Sequence, residues 1–100
     1  VNISIHDLHR AFDNRIRLGI MSALAANDGM DFNALKELLD LTDGNLASHL
    51  KSLEKEAFIA VEKSFVGRKT NTRYSITPGG KAAFEQHLSV LEALIRAHQS

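Results

Sequence analysis

Residues 41–88 read LTDGNLASHLKSLEKEAFIAVEKSFVGRKTNTRYSITPGGKAAFEQHL, and the fold follows from where their hydrophobic period changes. Leu46, Leu50, Leu53 and Ala57 recur at i, i+4, i+7 and i+11, which predicts a helix from residue 43 with one buried stripe. Thr42 stands where its hydroxyl can accept that helix's first free N–H groups. Past Phe58 the period becomes two, so that Ile59 and Val61, then Tyr74 and Ile76, predict two half-buried strands of a hairpin. The SFVGRKTNT between them predicts a loop longer than a two-residue turn, projecting from the body with Arg68 and Lys69 at its tip and Arg73 on the return strand. Thr77-Pro78 opens a last helix, about 78–98, with threonine as cap and proline at the first helical position. Phe84, Leu88, Leu91 and Ile95 repeat along it at heptad-like spacings of 4, 3 and 4.

Upstream, Leu41-Thr42-Asp43-Gly44 separates the first of these helices from a shorter one of about two turns, which Asn33 can cap and whose Leu35, Leu38 and Leu39 face a core. Met30 to Phe32 has room only for a bridging strand. Before it, RIRLGIMSALAA sets Ile16, Ile20 and Leu24 on one helical face until Asn27-Asp28-Gly29 stops it. Gly19 inside this helix requires a close neighbour to offset its cost. Ile5, Leu8 and Phe12, at i, i+3 and i+7, predict a further short helix from about Asp7. The order helix, helix, strand, helix, helix, strand, strand, helix is mainly α with a small β-hairpin (α+β): a helix-turn-helix followed by a wing.

One hundred residues, 44% of them hydrophobic, suffice for one domain with one core and leave no room for a second. The absence of cysteine removes disulfide scaffolds, zinc knuckles and thiol catalysis, and agrees with a reducing, cytoplasmic setting. No apolar run approaches the ~20 residues of a membrane span, and VNISIHDLHR lacks the basic-then-apolar order of a signal peptide, so no membrane partner is expected. The chain starts at Val1, as a processed or trimmed chain does.

Twelve basic and twelve acidic side chains cancel, but not evenly along the chain. Residues 1–42 hold four basic against six acidic, whereas residues 43–73 hold six basic (Lys51, Lys55, Lys63, Arg68, Lys69, Arg73) against four acidic. Positive charge therefore gathers where the second helix of the helix-turn-helix and the hairpin lie. With Leu46, Leu50 and Leu53 inward, that helix (43–55) turns Asn45, Ser48, His49, Lys51, Ser52 and Lys55 outward. Asn45 can pair with an adenine edge, Ser48 and His49 with bases or phosphates, and Lys51, Ser52 and Lys55 with the backbone. The same face on its own also suits a plain solvated helix. The cationic wing (64–73) beside it favours the DNA reading.

No GxSxG, P-loop, HExxH or paired-carboxylate pattern occurs, so no catalytic residue and no cofactor are expected. Pro78-Gly79-Gly80 reads as a turn feature, without the lysine of a phosphate loop. His6 and His9 share one face, and His87 and His98 lie on the last helix, an arrangement that a metal at an interface can use. Without cysteine or clustered carboxylates, exposed or interface histidines explain them better, and no metal ligand is assigned.

TDGNLASHLKSLE resembles the recognition helix, and FVGRKTNTRYSIT the wing, of the short stand-alone winged-helix transcriptional regulators related to the MarR and ArsR families; RIRLGIMSAL fits as well. The resemblance spans nearly the whole chain. It implies a homodimer on roughly palindromic operator DNA, usually as a repressor, with Asn45, Ser48, His49 and Lys51 in the groove and Arg68, Lys69 and Arg73 as wing contacts. The chain lacks the cysteine metal box of metal-responsive ArsR regulators and the longer helical part around which many MarR regulators form a ligand pocket, so no effector is assigned. The terminal stripes Ile5, Leu8, Phe12 and Phe84, Leu88, Leu91, Ile95 are the expected dimer interface, since a helix of about 20 residues outreaches so small a body. Packing of both within one monomer is the alternative. For the function, a winged helix that binds protein and not DNA is the competing reading, because net charge is zero and fold does not fix function.

Overall fold

The computed structural model describes residues 8–99. A 3-10 turn at Arg10–Phe12 leads into α1 (Arg15–Ala26), β1 (Met30–Asp31), α2 (Phe32–Leu39), α3 (Asp43–Lys55), β2 (Ile59–Val66), β3 (Lys69–Ile76) and α4 (Pro78–Gln99). The three strands form one antiparallel sheet in the order β1-β3-β2. This is the winged-helix fold that the hydrophobic periods predict, four α-helices with a small sheet.

Each helix begins where a side chain answers its free amides. Asn14 Oδ1 accepts from the N–H groups of Ile16 (2.9 Å) and Arg17 (3.2 Å), and Thr42 Oγ1 accepts from Asn45 (3.2 Å). For α2 the cap is Asp31, whose Oδ1 accepts from Ala34 N–H at 2.7 Å, and not Asn33 as the sequence suggests. The helix therefore starts earlier, Leu35 and Leu39 turn inward one helical turn apart, and Leu38 is left 60% exposed. Asp40, at φ 52°, closes α2, and Thr42 reopens the chain two residues later. At the end of α3, Ala57 takes the left-handed conformation (φ 61°), its N–H donating to Glu54 O and that of Phe58 to Leu53 O, the paired bonds of a Schellman motif. Ala57 thus ends the helix and does not extend its apolar stripe.

Ile20, Met21 and Leu24 of α1, Leu35 of α2, Leu46, Leu50 and Leu53 of α3, Ile59 of β2 and Phe84 of α4 close one core. Full burial of such side chains stabilises by about 1.5–3 kcal/mol each against leaving them exposed. Gly19 lets α1 and α2 approach: a Cβ there would sit 3.3 Å from Leu39 Cδ2.

Two further predicted elements differ from the structure. The hairpin has no long loop, because β2 and β3 pair without a break from Ile59↔Ile76 to Val66↔Lys69, leaving only Gly67-Arg68 as the turn. Gly67 at φ 68° with no positive φ at Arg68 suits a type II′ turn, whose twist matches the strands. The ladder needs no buried face there; Phe65, Val66, Thr70 and Thr72 are strand formers in a polar setting. The helix predicted from about Asp7 is, among the described residues, only the Arg10–Phe12 turn, because Asn14 must be extended (φ −164°) to cap α1. Ile5, His6 and Asp7 lie outside the described residues.

The N-terminal segment docks through two histidines. His9 Nδ1 accepts from Ala11 N–H at 3.0 Å, while the backbone N–H of His9 donates to Nδ1 of His87 on α4 at 3.1 Å. His87, only 5% exposed, lies against the ring of Phe12 at 5.3 Å. Burial, and then His9, hold the His87 imidazole below its usual pKa of 6.5, with Asp13 acting the other way. The unfolded chain takes up a proton at His87 near pH 6.5 and the folded chain resists it. This contribution to stability is therefore full above pH 6.5 and is lost as pH falls toward the lowered folded value. Urea midpoints taken between about pH 7.5 and pH 5.5 should decline, and His87→Gln, which keeps an acceptor for His9 but does not titrate, should flatten that decline. An equal decline in both proteins would assign it elsewhere.

Candidate nucleic-acid interface

α3 divides its surface as a groove-reading helix must. Leu46 and Leu53 are wholly buried and Leu50 nearly so, while Asn45, Ser48, Lys51 and Lys55 are exposed and His49 and Ser52 half-exposed. Asn45, Ser48, Ser52 and Lys55 follow one another at i, i+3, i+7 and i+10 along the outer face, with Lys51 beside them. Ser52 Oγ donates to Ser48 O at 3.3 Å, so its hydrogen is engaged and its lone pairs remain. Asp43, the acid at the start of α3, pairs with Lys36 of α2 at 2.8 Å, which ties the two helices together and partly offsets that charge, while Glu54 is a second exposed acid on the same side of the helix.

Toward its tip the wing adds cations without acids; nearer the body, Glu62 of β2 and Asp31 of β1 lie opposite Arg73 in the strand register. From Lys63 to Arg73 every charged residue is basic (Lys63, Arg68, Lys69, Arg73). Arg68 and Lys69 stand exposed at the tip. Arg73 lies four positions back on β3, about 13 Å along the strand from Lys69, where β3 pairs with β1 through Asp31↔Arg73. Its guanidinium runs over the α1–β1 turn: a Cβ at Gly29 would come 2.7 Å from Arg73 Nε, and Gly29 itself is at φ 147°. Gly29, which the sequence marks only as a helix stop, thus makes room for a wing cation. Among the described residues the ion pairs are Lys36–Asp43 and Arg96–Glu92, and neither engages a cation of the outer α3 face or the wing. At the base of the sheet, burial and then Glu54 push the Tyr74 phenol up, which keeps it neutral beside α3.

The apolar stripe read along α4 divides between two faces. Phe84 (4% exposed) packs in its own core with Phe12 (2%), their rings 5.5 Å apart and edge-on, and His87 and Val90 continue that inward face. As members of an interface stripe, Phe12 and Phe84 are therefore corrected to core residues: the 3-10 turn points Phe12 inward, and α4 keeps a buried face from Gly80 through Phe84 and His87 to Val90. Leu88 (43% exposed) and Ile95 (58%) face outward, while Leu91 shares a groove with Leu8. His87 and Val90 were missed because a histidine breaks the apolar pattern. Among the described residues no three His, Cys, Asp or Glu side chains cluster as a metal site does, and no helix is long and apolar enough to cross a membrane.

Comparison with known proteins agrees with this geometry. A family model described as a winged helix DNA-binding domain matches residues 16–95. An uncharacterized protein of Methanocaldococcus jannaschii is 38% identical over 79 residues, 79% of this chain and 86% of that protein. The solved structure of a transcriptional regulator homologue from Pyrococcus horikoshii superposes with a TM-score of 0.84 at 33% identity, covering 90% of this chain and 89% of that one. A MarR-family transcriptional regulator from Silicibacter pomeroyi shares the fold at a TM-score of 0.67 and 20% identity, over 80% of this chain and 53% of its own.

Proposed function

From the premise that this chain belongs to the winged helix DNA-binding domain family, we propose that it is a sequence-specific double-stranded DNA-binding transcriptional regulator. It acts in the cytoplasm as a homodimer and a repressor on a pseudo-palindromic operator. The observation that carries this reading is the unpaired polar face of α3 beside a wing that has four cations and no acid between Lys63 and Arg73. α3 lies in the major groove. Asn45, Ser48 and His49 meet base edges there; Lys51, Ser52 and Lys55 meet the flanking phosphates. Arg68 and Lys69 clamp the adjacent backbone or minor groove, and Arg73, nearer the body, reaches the phosphate between wing and helix. Two half-sites one DNA turn apart, about 34 Å, require two such helices, and the outward face of α4 with Leu88 and Ile95 joins them, Leu91 and Leu8 adding to the edge.

Binding of fluorescein-labelled genomic duplexes across a salt series tests the proposal. The logarithm of affinity should fall linearly with the logarithm of salt, by about 0.9 for each phosphate contact. Lys69→Ala, which changes one exposed side chain in each of two subunits, should reduce that slope by about two and weaken all sequences alike. The absence of salt-dependent binding at low ionic strength would remove DNA as the partner and leave the α3–wing surface to a protein.

A further inference from the structure

The wing tip carries an apolar pair that cation–phosphate contacts do not use. Phe65 is 78% exposed and Val66 66%, more than any other large hydrophobic side chain among the described residues. Their register defines how they are displayed. Phe65 pairs with Thr70 and lies on the face that bears Ile59, Val61, Tyr74 and Ile76 nearer the body; Val66 pairs with Lys69 and lies on the opposite face. The tip therefore has carbon on both sides and Arg68 in the turn between them. The ladder holds this shape without burying either side chain, so Phe65 contributes little to the core.

The surrounding charge defines what covers it. Lys63, Arg68 and Lys69 flank Phe65 with no acid nearer along the ribbon than Glu62, so the complementary surface is a polyanion that also offers carbon. The minor groove does both: phosphates form its rims and deoxyribose its walls. Its width of about 6 Å admits a single flat side chain such as the Phe65 ring, whereas a whole two-stranded ribbon needs the major groove, about 12 Å wide. We propose that Phe65, with Val66 on the other face, is an apolar wedge that enters the minor groove beside each half-site. It packs on the sugar walls and base-step edges, so that the protein selects DNA by groove width and ease of deformation at positions α3 does not touch. This rests on the DNA-binding reading above and adds a specificity-determining residue to it.

The chain contains no tryptophan, so Phe65→Trp places a single indole at the tip. The probes are labelled genomic duplexes of about 30 base pairs, three helical turns, and vesicles of phosphatidylglycerol and phosphatidylcholine in equal parts. With duplex at saturation, the indole emission of Phe65→Trp should be quenched, and vesicles should leave it unchanged. Phe65→Ala should weaken duplex binding about five- to tenfold while the salt slope stays that of the unaltered protein, the reverse of the Lys69→Ala signature. Phe65→Leu should restore most of the affinity. An unaltered affinity in Phe65→Ala, with the unaltered protein binding duplex, overturns the wedge alone. A blue shift with vesicles and none with duplex makes the occupant a membrane surface and overturns it as well. Loss of duplex binding by the unaltered protein overturns the DNA reading itself.

Discussion

Gly80→Ala should destabilise the fold by about 3–5 kcal/mol, while Gly79→Ala, its neighbour, should be neutral or slightly stabilising. Both glycines lie in the first turn of α4, where alanine ordinarily gains about 0.5–1 kcal/mol over glycine. At Gly79 a Cβ meets nothing nearer than Thr77 Oγ1 at 4.0 Å. At Gly80 it would stand 2.7 Å from the carbonyl carbon of Phe58 and 2.8 Å from its Cα, backbone atoms that cannot swing aside. That contact is part of a joint: Phe58 O accepts from Thr77 N–H at 3.1 Å, Thr77 Oγ1 donates to Ala57 O at 2.7 Å, and Gly80 N–H donates to Thr77 Oγ1 at 2.9 Å. Making room for a methyl group moves α4 off the α3–β2 corner. It costs these hydrogen bonds, about 1 kcal/mol each, and loosens Phe84 against Phe12. For a domain of this size each kcal/mol shifts Tm by about 4–8 °C, so thermal unfolding should drop by about 15 °C or more. Equal melting of the two variants would mean that α4 does not approach Phe58 so closely.

The same pair of glycines shows what was legible beforehand. Pro78-Gly79-Gly80 announces a chain feature, and Thr77-Pro78 correctly places the helix start, but nothing in the sequence separates a glycine facing water from one facing a backbone carbonyl. The periods of α3 and of the strand bases were legible because burial imposes them: Leu46, Leu50, Leu53 and Ile59 all lie in the core. The outer half of the wing was not, since Ser64, Phe65 and Val66 are exposed on both faces and no burial pattern marks them. Nor was the inward face of α4, where His87 interrupts the apolar stripe and is held by a hydrogen bond to a residue 78 positions away. The exposed α3 residues were readable as a surface by subtraction from the leucines. Their assignment to bases or phosphates remains part of the functional proposal.

Leu88→Glu with Ile95→Glu should convert the protein to a monomer and lower its affinity for a pseudo-palindromic operator by about a hundredfold or more, while binding to a single half-site changes little. The two side chains are 43% and 58% exposed in the isolated chain, and the inward face of α4 is formed by Gly80, Phe84, His87 and Val90, so charge at 88 and 95 costs the monomer fold little. In a dimer the same carboxylates would be buried against their symmetric copies, apart from any cation, which a helix interface does not tolerate. Leu91→Glu is a poorer test because Leu91 lies in the groove with Leu8 and His87, where a new charge also disturbs the docked N-terminal segment. The affinity loss follows from the charge balance. With twelve basic and twelve acidic residues, one subunit gains only what the local cations of α3 and the wing supply, and that non-specific attraction is weak at physiological salt. Joining two subunits makes the second half-site contact intramolecular and raises its effective concentration without adding a charge. A variant that still sediments as a dimer would place the interface away from the outer face of α4. An unaltered protein that is already monomeric at operator-binding concentrations would remove the homodimer from the proposal and leave each wing and α3 to find its half-site alone.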